Sequence, residues 1–358
     1  MNLYVHFPFC RAKCAYCALL SRAGASAAAR AAYVERVHGE IASLRAREGD
    51  PIAVYFGGGS PALCGLAPLS GALALLVAAA GEVEFTVELH PLDATDSTLD
   101  ALRRLGVNRI SMGVQSLDDA ALAAMGRQHT AAEAEAAFLR ARRAFPNAGL
   151  DLIAGWPGTS SAAWRATIER ALALEPVHVS CYTLIREPKT RLDLMARRGE
   201  VEMPDDDAAL AQADAARAAF AAAGLARYEV SNFARPGFEC RHNMAVWRGE
   251  DYVGIGEGAH GREGLVRTVG LASGYDRRTV AAEEDAVERA LLSLRTASGL
   301  DLDFAACRWP ILAPRIPSWL ETLSSMEREG ILRRTSPNVF APTSRGFEVC
   351  DAVMSALL

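Results

Sequence analysis

The sequence carries no large excess of either charge sign. Its 358 residues include 38 Lys and Arg against 43 Asp and Glu, which gives a formal net charge of −5. Nucleic acids and anionic membrane surfaces are bound chiefly by proteins or segments with a strong positive charge. We therefore expect neither of them as a partner.

Cysteine is also scarce for a chain of this length. Eight cysteines are too few for a disulfide-stapled scaffold, and a reducing compartment would keep them as thiols. Three of them lie close together near the N-terminus, and we expect most of the others to be small core residues. These scattered cysteines are Cys64, Cys181, Cys240, Cys307 and Cys350.

A secretory leader and a long uninterrupted apolar helix are both missing. The chain starts with a strand-like run, "LYVHFPF", and has neither the positive nor the apolar region of a signal peptide, so we expect a cytoplasmic protein. Residues 51–81 carry no charge and are long enough to span a bilayer, but three prolines and six glycines interrupt them. We interpret this run as a strand, a glycine loop and a buried helix, and we predict no transmembrane segment.

The rest of the N-terminal two thirds alternates between two periodicities. Short β-rich runs are typical of strands, whereas the Ala- and Leu-rich stretches between them repeat with the helical period. This alternation predicts an α/β fold with a parallel sheet. The predicted strands are residues 3–9, 52–56, 85–89, 109–114, 150–155, 178–184 and 228–233, and the predicted helices include 28–47, 99–105, 131–145 and 161–174.

Residues with unusual chemistry follow several of these predicted strands. Three cysteines follow the first strand, and a glycine loop at 57–61 follows the second. Glu88 and His90 end the third strand, and Gln115 ends the fourth. Because functional loops lie at the carboxyl ends of parallel strands, a partly closed β/α barrel would bring these residues to one mouth.

The alternation fades after about residue 235, which divides the chain into three parts. We predict a β/α barrel domain over residues 1–235 and a connecting segment rich in Gly, His and aromatic residues over 236–285. A loop-like stretch of this kind inside a compact protein is often functional. The remainder, residues 286–358, is predicted to be a small C-terminal α+β module.

The predicted C-terminal module resembles a winged helix. A helix at 319–328 ends before Gly330, two short strands flank residues 336–338, and a last helix covers 347–357. DNA binding is the alternative that this shape raises. The module has no concentrated basic face, so we do not expect it to bind DNA.

The cysteine cluster, in the stretch "HFPFCRAKCAYCALLS", places three thiols within eight residues. Cys10, Cys14 and Cys17 are separated by three and by two residues. Zinc is one alternative, but structural zinc typically uses pairs of cysteines and a fourth donor, for which His6 could serve. Attachment of c-type heme fails because Ala18 stands where histidine is needed. A 4Fe-4S cluster on three thiolates would leave one iron open.

The residues around this cluster resemble a known family. The pattern Cys-x3-Cys-x-aromatic-Cys, with Tyr16 before the third cysteine, resembles the signature of radical S-adenosylmethionine (SAM) enzymes. Further segments resemble the oxygen-independent coproporphyrinogen III oxidase family over essentially the whole chain. The resemblance implies a partial β/α barrel of the radical SAM type, followed by the C-terminal domain of that family. The similar segments are "YVHFPFC", "YFGGGSP", "NRISMGVQS", "GRQHT", "LDLIAGWPG" and "YEVSNFARPGFECRHN".

The resemblance also implies cofactors and the residues that hold them. In that family the open iron of a 4Fe-4S cluster binds SAM, which the reduced cluster cleaves to methionine and a 5′-deoxyadenosyl radical. Cys10, Cys14 and Cys17 are then the metal ligands. A glycine loop can approach SAM closely, a carboxylate can accept hydrogen bonds from the ribose, and a guanidinium suits a carboxylate. Each residue taken singly has an ordinary explanation in a turn or a cap. The implied SAM-site residues are Tyr4, Gly58, Gly59, Ser60, Glu88, Gln115, Arg127 and Asp151.

The family has two branches that differ next to the cysteines. The oxidase branch carries a fourth cysteine two residues after the third and decarboxylates two propionates of coproporphyrinogen III. This chain has Leu19 at that position. The heme-chaperone branch likewise lacks the fourth cysteine. The resemblance therefore favours the heme-chaperone branch, and coproporphyrinogen oxidase activity is not expected.

A histidine motif in the connecting segment is the reason to expect heme. The chaperone branch carries His-Asn-x-x-Tyr followed by Trp, and this chain has His242, Asn243 and Trp247, with Val246 at the tyrosine position. Histidine is the most usual axial ligand of heme iron, so the resemblance implies His242 as a heme ligand. A hydrogen-bonded loop histidine is the alternative. A second difference from the branch is "CALLS", which replaces the usual Asp and Phe after the third cysteine.

Two classes of function remain open from the sequence. The first is a heme chaperone-like radical SAM protein that binds a 4Fe-4S cluster, SAM and heme, and delivers heme to an acceptor protein. The second is a coproporphyrinogen oxidase-like radical SAM oxidoreductase in porphyrin biosynthesis. The cluster also implies an electron donor. The acceptor, the use of radical chemistry in turnover and the oligomeric state stay open.

Overall fold

The computed structural model describes residues 1–44, 52–78 and 82–358. Two sequence predictions extend beyond these ranges. Residues 45–47 of the predicted helix 28–47 lie outside the described residues, as do residues 51 and 79–81 of the uncharged run. Within the described ranges, no helix is long and apolar enough to cross a membrane.

The strands and helices follow one another along the chain, with helices between most of the longer strands. The strands are β1 (Asn2–Phe7), β2 (Phe9–Cys10), β3 (Arg22–Ala23), β4 (Ile52–Gly58), β5 (Val83–Leu89), β6 (Arg109–Gln115), β7 (Asn147–Ala154), β8 (His178–Thr183), β9 (Ala226–Arg227), β10 (Asn232–Ala234), β11 (Val253–Ile255), β12 (His260–Glu263), β13 (Val266–Leu271), β14 (Gly274–Thr279), β15 (Leu300–Asp301), β16 (Leu332–Ser336) and β17 (Val339–Pro342). The α-helices are α1 (Ala27–Ser43), α2 (Ser70–Val77), α3 (Asp96–Arg104), α4 (Asp119–Ala124), α5 (Ala131–Ala144), α6 (Ser161–Ala173), α7 (Arg191–Arg197), α8 (Asp206–Ala222), α9 (Arg241–Trp247), α10 (Ala282–Leu292), α11 (Leu302–Arg308), α12 (Ile316–Arg328), α13 (Ser344–Glu348) and α14 (Cys350–Ser355).

One large sheet organises the barrel part of the chain. In the described residues it has nine strands in the order β11-β1-β4-β5-β6-β7-β8-β10-β9. Every pair from β11 to β8 is parallel, and β10 pairs antiparallel with both β8 and β9. The predicted α/β fold with a parallel sheet is confirmed. The sheet keeps two edges, β11 and β9, so its strands do not form a closed ring.

Alternating side chains give this sheet one apolar and one polar face, as β5 illustrates. Phe85, Val87 and Leu89 are buried in the main hydrophobic core with the helices. The residues between them point the other way because successive side chains in a strand alternate. There, Glu88 accepts a hydrogen bond from the Tyr55 side chain of β4. The polar face of the sheet is therefore the one on which a site can be built.

Several helices begin at a residue whose side chain accepts from one of the first backbone N–H groups. Thr130 and Glu133 form a capping box at the start of α5, and the Ser26 hydroxyl accepts from the Ala29 N–H at the start of α1. These helices agree with the predicted ranges within a few residues. Such local signals are strong in this chain, and helix α5 differs from its predicted range by a single residue.

The segment after α8 differs from the prediction. Residues 228–233 are not one strand; the chain forms a hairpin of β9 and β10 around a bend. The segment predicted to be loop-like contains helix α9 and strand β11, and β11 joins the large sheet beside β1. The sheet thus continues past residue 235. The division into three parts at residues 235 and 285 stays a prediction.

The C-terminal part packs around a hydrophobic core of its own. Leu294, Trp319, Leu323 and Phe340 are among its buried side chains, and β15, β17 and β16 form a small antiparallel sheet over it. Helix α12 ends at Arg328, two residues before Gly330, as predicted. The predicted last helix is divided into α13 and α14 by Val349.

Candidate functional site

The cysteine loop, residues 8–21, connects the end of β1 to the short strand β3. Cys10 lies in β2, which pairs in parallel with β3 and so closes the base of the loop. Cys14 and Cys17 lie in the turn between them, and all three cysteines are partly buried. The Cys17 N–H donates to the Cys14 carbonyl at 3.3 Å. The three thiols predicted as metal ligands therefore share one short, folded loop.

Backbone hydrogen bonds from distant segments hold this loop in place. The Ala15 N–H donates to the carbonyl of Met125 at 2.9 Å, and the Ala15 carbonyl accepts from the Leu192 N–H at 2.8 Å. The Tyr16 ring meets the Trp156 ring edge to face, with 6.1 Å between the centroids. The aromatic residue of the cysteine motif thus packs the loop against the segment that follows β7, a role that the pattern alone did not indicate.

A buried carboxylate joins the cysteine loop to the glycine loop. Asp93, which is 5% exposed, accepts from the Arg11 guanidinium, with 2.8 Å between Nε and Oδ1. Its other oxygen accepts from the Ser60 hydroxyl at 2.5 Å. Ser60, predicted as a SAM residue, is therefore already engaged within the protein, and Asp93 was not found by sequence reasoning.

The cysteine loop forms one wall of a cavity of about 430 Å³ at the carboxyl ends of the strands. This volume lies in the range of small-molecule sites. The structure brings ten of the predicted site residues to it from six separate segments. They are Cys10, Cys14, Cys17, Gly58, Gly59, Ser60, Glu88, Gln115, Arg127 and Asp151.

Tyr4 and His242, the two other predicted residues, do not line this cavity. Tyr4 lies deeper on the polar face, where its hydroxyl is 3.0 Å from His6 Nδ1. His6 Nε2 in turn lies 2.8 Å from the Leu20 carbonyl oxygen. Both ring nitrogens of His6 are thus engaged, so His6 is not placed to serve as the fourth ligand of a metal at the cysteines.

The glycine loop is shaped by the protein's own packing. A Cβ added at Gly59 would lie 2.4 Å from the Phe9 carbonyl oxygen, and one at Gly58, where φ is +98°, would meet the His6 ring at 2.4 Å. The Gly59 N–H donates to the Phe7 carbonyl at 2.8 Å. These glycines are required whether or not a ligand approaches, which is a stronger reason for them than the one inferred from the sequence.

Glu88 is held at the cavity by two donors. Its carboxylate accepts from the Tyr55 hydroxyl at 2.9 Å and from the Gly58 N–H at 3.0 Å. Burial raises the pKa of Glu88 to about 7, and the charge of nearby Asp151 adds to the increase. Asp151 accepts from the Ser111 hydroxyl at 2.9 Å, and burial raises its pKa too. The cavity therefore contains two neighbouring carboxyl groups with different partners.

Arg127 lies directly beside the cysteine loop. Its Nη1 lies 3.4 Å from the Cys14 sulfur, and its Nη2 donates to the Gly113 carbonyl at 2.6 Å. Its Nε is buried and has no hydrogen-bond partner among the described residues. A guanidinium with an unused buried donor fits a site that binds an anionic group.

Gln115 adopts a backbone conformation that is uncommon for its residue type. Its φ is +70°, at a β-bulge where the register between β6 and β7 shifts after Gly113. Non-glycine residues with positive φ are uncommon and occur at bulges that redirect a side chain. The bulge directs Gln115, a predicted SAM residue, to the cavity, and only the bulge itself was not indicated by the sequence.

Two histidines lie near Arg127: His90, which was expected at the mouth of the barrel without a stated role, and His129, which the sequence reasoning did not place. The His90 and His129 rings meet edge to face with centroids 5.1 Å apart, and His90 lines the cavity. Burial, with the charge of Arg127, lowers the pKa of His90 to about 2 and that of His129 to about 4. His90 Nδ1 accepts from the Leu92 N–H, so a neutral His90 presents its other nitrogen as a donor.

His242 is enclosed by aromatic rings on the polar face of the sheet. It is 8% exposed, and its centroid lies 5.9 Å from Tyr4, 5.1 Å from Tyr55 and 6.2 Å from Tyr252. Burial and the charge of Arg109 lower the pKa of His242 to about 4. Its Nδ1 has no partner in the described part of the chain. The assignment of His242 to heme stays a prediction, and it would require these rings to separate.

The donor set at the cavity fits the expected cofactors. Among the described residues, no three His, Cys, Asp or Glu side chains are grouped around a point where they could hold one metal ion. A 4Fe-4S cluster places its thiolates on different iron atoms, so its ligands need not converge on one point. Arg127 beside Cys14 supplies positive charge where thiolates and a carboxylate would gather.

Comparisons with known proteins show which family has this arrangement. The profile of the Radical SAM superfamily matches residues 4–171. The chain is 31% identical over 379 residues to the heme chaperone HemW of Bacillus subtilis, an alignment that covers 100% of this chain and 99% of that protein. It is 36% identical over 269 residues to the heme chaperone HemW of Synechocystis, covering 72% of this chain and 64% of that protein.

The chain belongs to the HemW branch of the radical SAM proteins. The structure of the coproporphyrinogen III oxidase HemN of Escherichia coli matches it with a TM-score of 0.81 at 21% identity, over 99% of this chain and 89% of that one. This likeness confirms the predicted partial barrel of the radical SAM type with a small C-terminal α+β module, in which the structure shows small antiparallel sheets. A radical SAM domain implies a 4Fe-4S cluster and SAM, in agreement with the cavity. The assignment of single residues to these cofactors stays a prediction.

Proposed function

We propose that this protein is a heme-binding radical SAM protein that delivers heme to an acceptor protein. The observation that carries the proposal is the set of residues that line the cavity. Three cysteines line it, and Leu19 lies where the oxidase branch has a fourth cysteine. Leu19 lines the cavity and is 52% exposed. The proposal is supported by full-length similarity to a protein named heme chaperone HemW.

In this proposal each group at the cavity has a role in holding the cofactors. Cys10, Cys14 and Cys17 hold the 4Fe-4S cluster, which when bound and reduced supplies an electron to SAM. Arg127 pairs with the carboxylate of SAM through charge-assisted hydrogen bonds. Glu88 accepts from the ribose hydroxyls once it is ionised.

The remaining residues at the cavity orient SAM and define its pocket. Gln115, redirected by its bulge, donates or accepts through its side-chain amide, and Asp151 adds a carboxylate beside it. Gly58 and Gly59 keep the loop close to the cysteines. Tyr4 supports the site from below through His6, without lining the cavity.

The proposal includes three partners outside the chain. An electron donor reduces the cluster, and an acceptor protein receives heme. The third partner is heme itself. A cytoplasmic location belongs to the proposal and stays a prediction.

The alternative is a coproporphyrinogen oxidase-like oxidoreductase. Leu19 argues against it, because the thiol that the oxidase pattern places there is absent. The two functions differ in their product: a chaperone transfers heme unchanged, whereas an oxidase forms a modified tetrapyrrole while it consumes SAM.

Anaerobic reconstitution followed by heme titration, with and without SAM, tests the proposal. We expect stoichiometric heme binding and transfer of the heme to an apo-protein. Conversion of coproporphyrinogen III to protoporphyrinogen IX with proportional SAM consumption, and no heme binding, would replace the chaperone function with the oxidase function.

A further inference from the structure

A second large cavity lies at the junction between the large sheet and the C-terminal part. This junction cleft has a volume of about 880 Å³ and is bordered by the residues after α9, the loop between β12 and β13, and helices α10 and α11. Its lining includes Arg248, Leu265, Arg289, Phe304, Arg308 and Trp309. It shares no lining residue with the cysteine cavity.

One side of the junction cleft presents apolar rings to solvent. Phe304 is 59% exposed although it is a large apolar residue, and Leu265 is 39% exposed. The ring of Trp309 meets Phe304 edge to face, with 6.3 Å between the centroids. Exposed apolar groups clustered in a concave site mark a place where an apolar ligand can bind.

The acidic groups of the cleft already have partners within the protein. Asp251 and Asp285 each accept from Arg289, at 2.7 and 2.8 Å. Asp301 caps helix α11 by accepting from the Phe304 N–H at 2.9 Å. Glu250 accepts from the Asn2 side-chain amide at 3.2 Å. Arg289 also donates to two backbone carbonyls, so it is fully engaged by the protein.

Two exposed arginines of the cleft differ from Arg289 in that they have no carboxylate partner among the described residues. Neither Arg248 nor Arg308 has a carboxylate within ion-pair distance in the ranges that the structure describes. Arg248 is the residue that follows helix α9, and Arg308 is the last residue of α11, next to the Trp309 ring. The cleft therefore combines an apolar wall with two guanidinium groups that lack an anionic partner.

The cysteine cavity has less room for a macrocycle. Its roughly 430 Å³ must already accommodate a cluster and SAM. His242 is enclosed by three rings and offers no open surface beside it. The junction cleft has about twice the volume, and it begins at the residue that follows the helix carrying His242.

We propose that the junction cleft binds a planar tetrapyrrole with two carboxylate groups. The macrocycle packs against Phe304 and Trp309, and the carboxylates pair with Arg248 and Arg308. That the tetrapyrrole is heme rests on the proposed function. The lining contains no His, Cys, Met or Tyr side chain that could coordinate iron. Recognition therefore depends on the ring and the carboxylates, and the iron-free porphyrin binds as well as heme does.

The test uses the full chain with its cluster reconstituted and SAM present. Hemin, protoporphyrin IX and the dimethyl ester of protoporphyrin IX are titrated against the wild type and against the double variant Arg248→Gln, Arg308→Gln. Phe304→Ser removes the exposed ring. Arg328→Gln is the matched control, because Arg328 is an exposed arginine at the end of α12, outside the cleft. His242→Gln tests the motif histidine.

We expect hemin and protoporphyrin IX to bind the wild type with similar affinity and the ester to bind more weakly. The double arginine variant should lose roughly tenfold or more in affinity for both acids, since two charge-assisted contacts are removed. Phe304→Ser should also weaken binding. Arg328→Gln should bind as the wild type does.

The outcomes separate this inference from the proposed function. Hemin binding that survives the double arginine change but is lost in His242→Gln would overturn the cleft assignment and leave heme binding intact. Binding of hemin but not of protoporphyrin IX would also overturn it, because it would show that iron coordination is required. A wild type that binds neither porphyrin would overturn both. Tetrapyrrole binding at the cleft without transfer to an apo-protein would overturn the delivery function alone.

Discussion

Arg127 Nη1 and the Cys14 sulfur lie 3.4 Å apart, so one side chain connects a predicted cluster ligand with the predicted carboxylate site. The same guanidinium donates to the Gly113 carbonyl beside the bulge at Gln115. Removing it changes the charge next to the cysteines and the anion-binding capacity of the cavity together.

The first prediction concerns SAM affinity. Arg127→Ala should weaken SAM binding roughly 10- to 150-fold, because a charge-assisted hydrogen bond contributes about 1.5–3 kcal/mol. Arg127→Lys should bind with intermediate affinity, since it keeps the charge but loses the planar fork. Anaerobic calorimetry on the reconstituted protein measures both. Arg104→Ala, at the exposed end of α3, is the control and should leave affinity unchanged. Wild-type affinity in both folded Arg127 variants would show that this residue does not hold SAM.

The second prediction concerns the cluster. Cys14→Ser should abolish the visible absorption, iron and labile sulfide acquired during anaerobic reconstitution, because a cube would keep only two protein thiolates. Cys307→Ser is a matched control, since Cys307 is an exposed cysteine in α11. It should retain full iron and sulfide content. Tightly bound zinc without iron or sulfide in the wild type would exclude the cluster.

The third prediction follows from the pKa of Glu88, which burial raises to about 7 from an ordinary value of 4.5. The folded protein holds this proton more tightly than the unfolded chain does. The resulting stability is therefore complete below about pH 4.5 and is lost as the pH rises to about 7, by up to about 3 kcal/mol. Glu88→Gln should flatten this dependence of the free energy of unfolding.

Urea denaturation of the protein without cofactors, between pH 5 and 8, measures this slope. Asp151, whose pKa is also raised by burial, contributes in the same direction, so the slope in the variant is reduced and not removed. Glu321→Gln, on the exposed face of α12, should keep the wild-type slope. Equal slopes in the wild type and Glu88→Gln would contradict the prediction.

The fourth prediction concerns the carboxylate that joins the two loops. Asp93→Asn should lower the free energy of unfolding by about 1–3 kcal/mol, because buried Asp93 accepts from Arg11 and Ser60 through charge-assisted bonds. Proteolysis within the cysteine loop should become faster. The control is Asp100→Asn, whose exposed carboxylate lies 3.7 Å from Arg103 and should contribute less than about 0.5 kcal/mol. Equal losses in both variants would mean that Asp93 does not fasten the loop.

Much of the sheet could be predicted because its parallel strands are short apolar runs between segments of helical period. The predicted strand at 109–114 differs from β6 by one residue, and β5 is longer than predicted by two. Strand β11 could not be found in this way. Its three residues show no alternation, and they form a strand only because β1, about 250 residues earlier, offers a free edge.

The candidate site was predictable where chemistry follows the end of a strand, as at the cysteines, Glu88 and Gln115, whereas Arg127, between α4 and α5, was implied only by the family resemblance. What the sequence did not indicate is pairing between segments. The bonds of Asp93 to Arg11 and of Tyr55 to Glu88 join residues 82 and 33 positions apart, and a single sequence has no local signal for either. The enclosure of His242 by Tyr4 and Tyr55 depends in the same way on three elements meeting.

Strand β11 and the turn after it have a consequence for how the protein is made. The cysteine loop leaves the ribosome well before Glu257, which accepts from Arg22 beside the loop and whose N–H donates to Tyr33. Gly258 fits against Leu20, at the end of the same loop. At 5–20 residues per second, these partners emerge roughly 10–50 seconds after the cysteines. During that interval the nascent chain carries three thiols whose loop lacks these contacts, so cluster insertion into the finished site must wait for translation of β11 and the turn after it.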